Sequence, residues 1–175
     1  MKNLTDIHIL IIESDSVQSG ILKDKLLEYN AGYQINQFQN GNELFAFLKT
    51  SYHPGRSYYL ILNYYLHTEE QNESMSGLEI IKHLNEFYSK MKIIIFSSFD
   101  TDGEKELQKI KEEPNVIDFI KKTEYGYSGV QNIIRFHYSE SSLMRKKERF
   151  RISLLILIIM VTLASFHFIF SFLAL

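Results

Sequence analysis

Short apolar runs and amphipathic stretches alternate along the first 138 residues. "IHILII" (7–12) is apolar and β-branched, the pattern of a strand buried on both faces. "SVQSGILKDKLLE" (16–28) places Val17, Ile21, Leu22 and Leu26 at helical spacing, with Asp15 or Ser16 as N-cap. "YQINQFQ" (33–39) alternates as a half-buried strand does, and "NGNELFAFLKT" (40–50) returns to helical spacing. "YYLIL" (58–62) predicts a third strand, and "SGLEIIKHLNEFY" (76–88) an amphipathic helix carrying Leu78, Ile81 and Leu84 or Asn85. "KIIIF" (92–96) predicts a fourth strand. "DGEKELQKIKEE" (102–113) predicts a polar helix ended by Pro114. "VIDFI" (116–120) predicts a fifth strand. "SGVQNIIRFHY" (128–138) supplies a last helix with Val130, Ile133 and Ile134 inward.

Five β-α repeats predict an α/β fold, a doubly wound five-stranded parallel sheet of the (βα)5, flavodoxin-like kind. In such sheets the functional residues gather just beyond the C-terminal ends of the strands, near the point where strand order reverses. The positions to read are therefore Glu13-Ser14-Asp15, Asn63, Ser97-Ser98 and Lys121-Lys122.

The last part of the chain breaks the pattern. Residues 152–175, "ISLLILIIMVTLASFHFIFSFLAL", contain no formal charge. Helical residues rise ~1.5 Å each, so this stretch reaches ~36 Å, enough for a hydrocarbon core of ~30 Å. It reads as one transmembrane helix. The preceding "RKKERFR" (145–151) holds five basic residues and one acid, whereas residues 1–138 hold 14 Lys+Arg against 19 Asp+Glu. That asymmetry predicts a single-pass tail anchor with residues 1–151 in the cytoplasm. The expected organisation is a domain over 5–138, a basic juxtamembrane linker over 139–151 and the span over 152–175. Placed against an apolar span, the basic run is explained by membrane topology, and nucleic acid is not expected as a partner.

The absence of cysteine removes disulfides, thiolate metal sites and a cysteine nucleophile. The histidines show no ligand-like spacing.

"ILIIESD" (9–15), "LILNYYL" (60–66), "MSGLEII" (75–81), "IIIFSS" (93–98) and "DFIKKT" (118–123) resemble, in order, the five landmarks of bacterial response-regulator receiver domains. The resemblance implies a site in which two acidic residues after the first strand and an aspartate after the third bind Mg²⁺. It also implies that a histidine kinase phosphorylates that aspartate. A hydroxyl after the fourth strand and a lysine after the fifth then contact the phosphoryl oxygens. Hard cations take oxygen ligands, and a carboxylate serves as nucleophile.

Carried onto this chain, Glu13 and Ser14 match the acidic pair and Asn63 the phosphoacceptor. Ser97 matches the hydroxyl, Phe119 the switch aromatic and Lys122 the lysine. Two positions depart. Ser14 removes a carboxylate, which Asp15 replaces at most in part, and Asn63 removes the nucleophile. No aspartate lies between Asp24 and Asp100 to stand in for it. Glu13, Asn63 and Lys122 are expected to form a hydrogen-bonded cluster, Lys122 pairing with Glu13 or Asn63, with Mg²⁺ affinity at Glu13 weak or absent.

The glycine of the third helix, Gly77, stands later after Asn63 than in the family, so 67–74 reads as an inserted loop. The expected function is that of a degenerate, non-enzymatic receiver in two-component phosphorelay signalling. It would bind a histidine kinase, a phosphotransfer protein or another receiver. The alternatives are a receiver that still takes part in phosphotransfer, or a structural or regulatory subunit of a membrane complex.

Overall fold

The computed structural model describes residues 7–65, 75–98 and 110–173, with side chains as far as Ser165. The expected insertion at 67–74 lies outside the described residues, as does most of the helix expected at 102–113. Nine elements are described. They are β1 (Ile7–Ile12), α1 (Ser16–Tyr29), β2 (Gln34–Phe38), α2 (Gly41–Ser51), β3 (Ser57–Leu62), α3 (Gly77–Phe87), β4 (Lys92–Ser97), β5 (Val116–Lys121) and α4 (Gly126–Leu173).

All five strands pair in parallel, in the order β2-β1-β3-β4-β5. Strand order reverses at β1, so the crevice of the sheet opens beyond the C-terminal ends of β1 and β3. Burial follows position. β1 is buried throughout, and β3 and β4 at every residue but the first, as their continuous apolar runs predict. The outer strands β2 and β5 are only half buried.

One face of the sheet presents Leu10, Ile12, Leu60, Leu62, Ile93 and Ile95 to Leu44 and Leu48 of α2 and to Ile80, Ile81 and Leu84 of α3. Successive strand side chains point to opposite faces, so Ile9, Ile11, Ile61, Ile94 and Phe96 face the other layer. There α4 packs its first turns, with the Tyr127 ring 5.4 Å from that of Phe96 and Val130 and Ile134 fully buried. Gln131 Nε2 joins α4 to α1 by donating to the Lys25 carbonyl at 2.8 Å.

The caps follow the sequence signals. Asp15 caps α1, Asn40 caps α2, and Ser76 with Glu79 closes a reciprocal capping box on α3. The stripe expected on α1 is corrected. Leu22 and Leu26 are buried, but Val17 is 69% and Ile21 43% exposed. Ser19 takes an inward place instead, its hydroxyl accepting from Gln37 Nε2 at 2.7 Å. Spacing alone did not separate the two apolar lines of this helix, because Val17 and Ile21 are four residues apart just as Leu22 and Leu26 are.

Gly77 is required by a close approach. A Cβ there would lie 2.7 Å from Tyr64 Cδ2 and 3.0 Å from the Tyr64 carbonyl oxygen. The start of α3 is thereby pressed onto the backbone that follows Asn63. Gly77→Ala is expected to destabilise the fold by about 1–3 kcal/mol through overpacking. Urea denaturation of the variant measures this, and an unchanged midpoint would show that the contact relaxes freely.

The chain divides into two compact units, residues 1–134 and 135–175. Helix α4 runs without a break through the segment expected as a linker, 139–151, and on to Leu173. Its side chains from Ile152 to Ser165 are all exposed. Among the described residues no helix is long and apolar enough to cross a membrane. The remaining side chains of the expected span, including His167, lie outside the described residues.

Candidate functional site

Glu13, Asn63 and Lys122 stand one position beyond their strands, where the neighbouring strand still holds their backbones, and Ser97 is the last residue of β4. Asn63 N–H donates to the Ile12 carbonyl, Glu13 N–H to that of Phe38, and Lys122 N–H to that of Ser97, each at 3.0 Å. Three loop residues are thus positioned with nearly strand-like precision. Parallel pairing of β1 with β3 and of β3 with β4 brings Glu13, Asn63 and Ser97 side by side.

Their side chains form one connected chain of hydrogen bonds. Ser97 Oγ donates to Asn63 Oδ1 at 2.8 Å, and Asn63 Nδ2 donates to Glu13 Oε1 at 3.0 Å. Lys122 Nζ forms an ion pair and hydrogen bond with Glu13 Oε2. It also donates to Gln18 Oε1 at 2.9 Å. The Asp15 N–H completes the set on Glu13 Oε1 at 3.2 Å. An ionised carboxylate only accepts, so Glu13 requires a donor from its neighbour. The asparagine amide is the group that satisfies a carboxylate on one side and a hydroxyl on the other.

The cluster is largely withdrawn from water. Ser97 is fully buried, and the Glu13 and Lys122 side chains are 7% and 15% exposed. A carboxylate so placed is tolerated because it has an opposite charge and two further donors. Of the two pairings expected for Lys122, the one with Glu13 is formed.

The Asp15 carboxylate is engaged at the start of α1. Its Oδ1 accepts from the N–H groups of Val17 (2.8 Å) and Gln18 (3.2 Å), and its Oδ2 from Gln18 Nε2 (3.1 Å). Its carboxyl is held below the ordinary carboxylate range, first by the Gln18 N–H and then by that of Val17. The residue is committed to capping α1. Ser14 is half buried beside it.

Phe119 lies in β5, half buried against the core, with Lys111 Nζ 5.8 Å from its ring centre. Among the described residues no hydrogen bond joins it to the polar chain. Gln18 is the participant not singled out beforehand. The signal was present in "DSVQ" (15–18), where a glutamine stands at the third helical position after an Asp cap, at capping-box spacing.

This donor set does not suit a hard divalent ion. Mg²⁺ favours an octahedron of oxygens drawn from one or two carboxylates and water. Here the Glu13 carboxylate is taken by Lys122 and Asn63, and the Asp15 carboxylate by the helix it caps. Among the described residues no group of three or more His, Asp or Glu side chains is arranged to hold a metal.

The fold is that of response-regulator receiver domains. A CheY-like receiver domain protein from Methanospirillum hungatei is similar at 17% identity and a TM-score of 0.60, over 78% of this chain and 97% of that one. A receiver domain from Rhodospirillum rubrum is similar at 18% identity and 0.59, over 75% and 94%. The response regulator TrrA from Thermotoga maritima, solved in complex with Mg²⁺-BeF, is similar at 18% identity and 0.54, over 72% and 97%. No protein-family model matches the sequence, and no curated protein matches it.

Proposed function

We propose that the chain is a membrane-anchored pseudo-receiver of two-component signalling, acting by protein binding and not by phosphorylation of an aspartate. The observation that carries this reading is Asn63, seated where a receiver presents its acceptor and hydrogen-bonded on both sides, to Ser97 and to Glu13. A carboxamide oxygen is a far weaker nucleophile than a carboxylate and does not yield the usual acyl phosphate. Glu13 and Lys122 neutralise each other without a metal. The pocket is thus stable as it stands, and its shape, unchanged by phosphoryl transfer, is what a partner reads. A histidine kinase, a phosphotransfer protein or another receiver is the expected partner.

Support for the anchor comes from residues 152–175, uncharged throughout, and from the exposure of Leu154 through Val161 on a helix. Soluble monomers rarely expose contiguous apolar surface of that extent. The basic run ahead of it supports a cytoplasmic side for residues 1–151.

Incubation of the chain with acetyl phosphate, or with a phosphorylated histidine kinase, is expected to leave its mass unchanged. An acid-labile, hydroxylamine-sensitive phosphoryl adduct would sink the pseudo-receiver reading and favour a receiver that still takes part in phosphotransfer. Capture from membranes with a transporter or secretion component in place of signalling proteins would favour a subunit of a membrane complex.

A further inference from the structure

Residues 145–151 lie within the unbroken helix α4, with Arg145, Lys146, Lys147, Arg149 and Arg151 all exposed. Between Val130 and Leu173 the helix contains neither glycine nor proline, so nothing in the sequence kinks it near the basic run. At 3.6 residues per turn, Arg145, Arg149, Lys146, Lys147 and Arg151 point to about 0°, 40°, 100°, 200° and 240° around the axis. No arc wider than about 120° is free of a cation. A helix lying flat on a membrane needs a broad apolar face opposite its charged one, and this segment has none. The charges encircle the helix instead.

Their axial extent also matters. From Arg145 to Arg151 the helix rises ~9 Å, comparable to the ~5–8 Å headgroup layer on one side of a bilayer. Immediately beyond stands Ile152, the first residue of the uncharged stretch, and within the ring Phe150 is 68% exposed.

We propose that residues 145–151 form a collar that binds the phosphates of anionic phospholipids around the helix, an inference that rests on the membrane-anchor reading above. Guanidinium and ammonium groups make charge-assisted hydrogen bonds to phosphate oxygens. Several such groups at one depth draw acidic lipids out of a mixed bilayer. Residues 1–138 carry five more acids than bases, so their net charge does not favour an anionic surface.

The test uses the full chain reconstituted in mixed vesicles of phosphatidylcholine and phosphatidylglycerol. Spin-labelled forms of each lipid report, by electron paramagnetic resonance, how much is immobilised around the protein. The expected result is a several-fold preference for phosphatidylglycerol over phosphatidylcholine. That preference should fall to near parity on raising the salt, or when Arg145, Lys146, Lys147, Arg149 and Arg151 are all replaced by Gln. Equal immobilisation of both lipids by the native chain overturns the collar and leaves the anchor standing. Immobilisation of neither overturns both. Loss of the preference on adding inorganic phosphate at matched ionic strength would assign the cations to free phosphate and overturn the lipid assignment.

Discussion

Replacing Lys122 by methionine is expected to destabilise the fold strongly. The Glu13 carboxylate, 7% exposed, would lose its counter-charge while remaining out of water. Removing one partner of a buried ion pair costs roughly 3–5 kcal/mol. Here the value should fall near ~3 kcal/mol, because hydrogen bonds to charged groups each contribute about 1.5–3 kcal/mol. Two of them, from Asn63 Nδ2 and the Asp15 N–H, remain on Glu13. For a chain of this size such a loss lowers the melting temperature by roughly 6–12 °C.

The double variant Glu13→Gln/Lys122→Met removes both charges together and should recover most of the deficit. A buried pair is weak evidence of net stabilisation, while half a pair is strongly unfavourable. Thermal unfolding of the full chain and the two variants decides the matter. A Lys122→Met variant as stable as the native chain would mean that the ion pair contributes nothing and that Glu13 is solvated in solution.

The second large effect is expected from Asn63→Asp. The new side chain keeps the shape of the old and can still accept from Ser97 Oγ, now 2.8 Å from Asn63 Oδ1. Its other oxygen would replace the amide nitrogen that now sits 3.0 Å from Glu13 Oε1. Two carboxylate charges at that separation repel by about 5 kcal/mol at an effective dielectric constant of ~20. Lys122 offsets part of this.

The substitution should therefore destabilise the metal-free protein and create affinity for a divalent cation, since two converging carboxylates suit a hard ion. A cation present at ten times its dissociation constant returns about 1.4 kcal/mol. Millimolar Mg²⁺ is thus expected to raise the melting temperature of Asn63→Asp and to leave that of the native chain unmoved. A native chain that Mg²⁺ stabilises as much as the variant would contradict the self-neutralised site. Ser14, next to Glu13, adds no further carboxylate to that pair.

These two variants separate what composition shows from what geometry adds. The substitution at Asn63 is visible as a letter. That its amide nitrogen is the donor satisfying Glu13, and its oxygen the acceptor for Ser97, required the distances. The pairing of Lys122 had two options in the sequence, Glu13 or Asn63. The structure forms the first, because Asn63 Nδ2, itself a donor, already occupies Glu13 Oε1 and leaves Oε2 for the ammonium. Asp15 was equally ambiguous. An aspartate one residue before a helix is both a spare acid for the pocket and an N-cap, and the α1 backbone N–H groups claim it.

The sequence by itself determined the order of the described strands and their helices, the buried central strands and the strand-end positions at which the polar cluster stands. Those features depend on local periodicity and on runs of β-branched residues, which a linear reading detects. Parallel strands with right-handed crossovers leave few other arrangements. What only the tertiary structure decided was long-range. Glu13 and Lys122 are 109 positions apart, and Asn63 and Ser97 are 34 apart. It also decided which line of α1 faces inward, since Val17 and Ile21 share the spacing of Leu22 and Leu26 and differ only in what packs beside them. Burial and hydrogen-bond competition are settled between segments, and no window of sequence contains both parties.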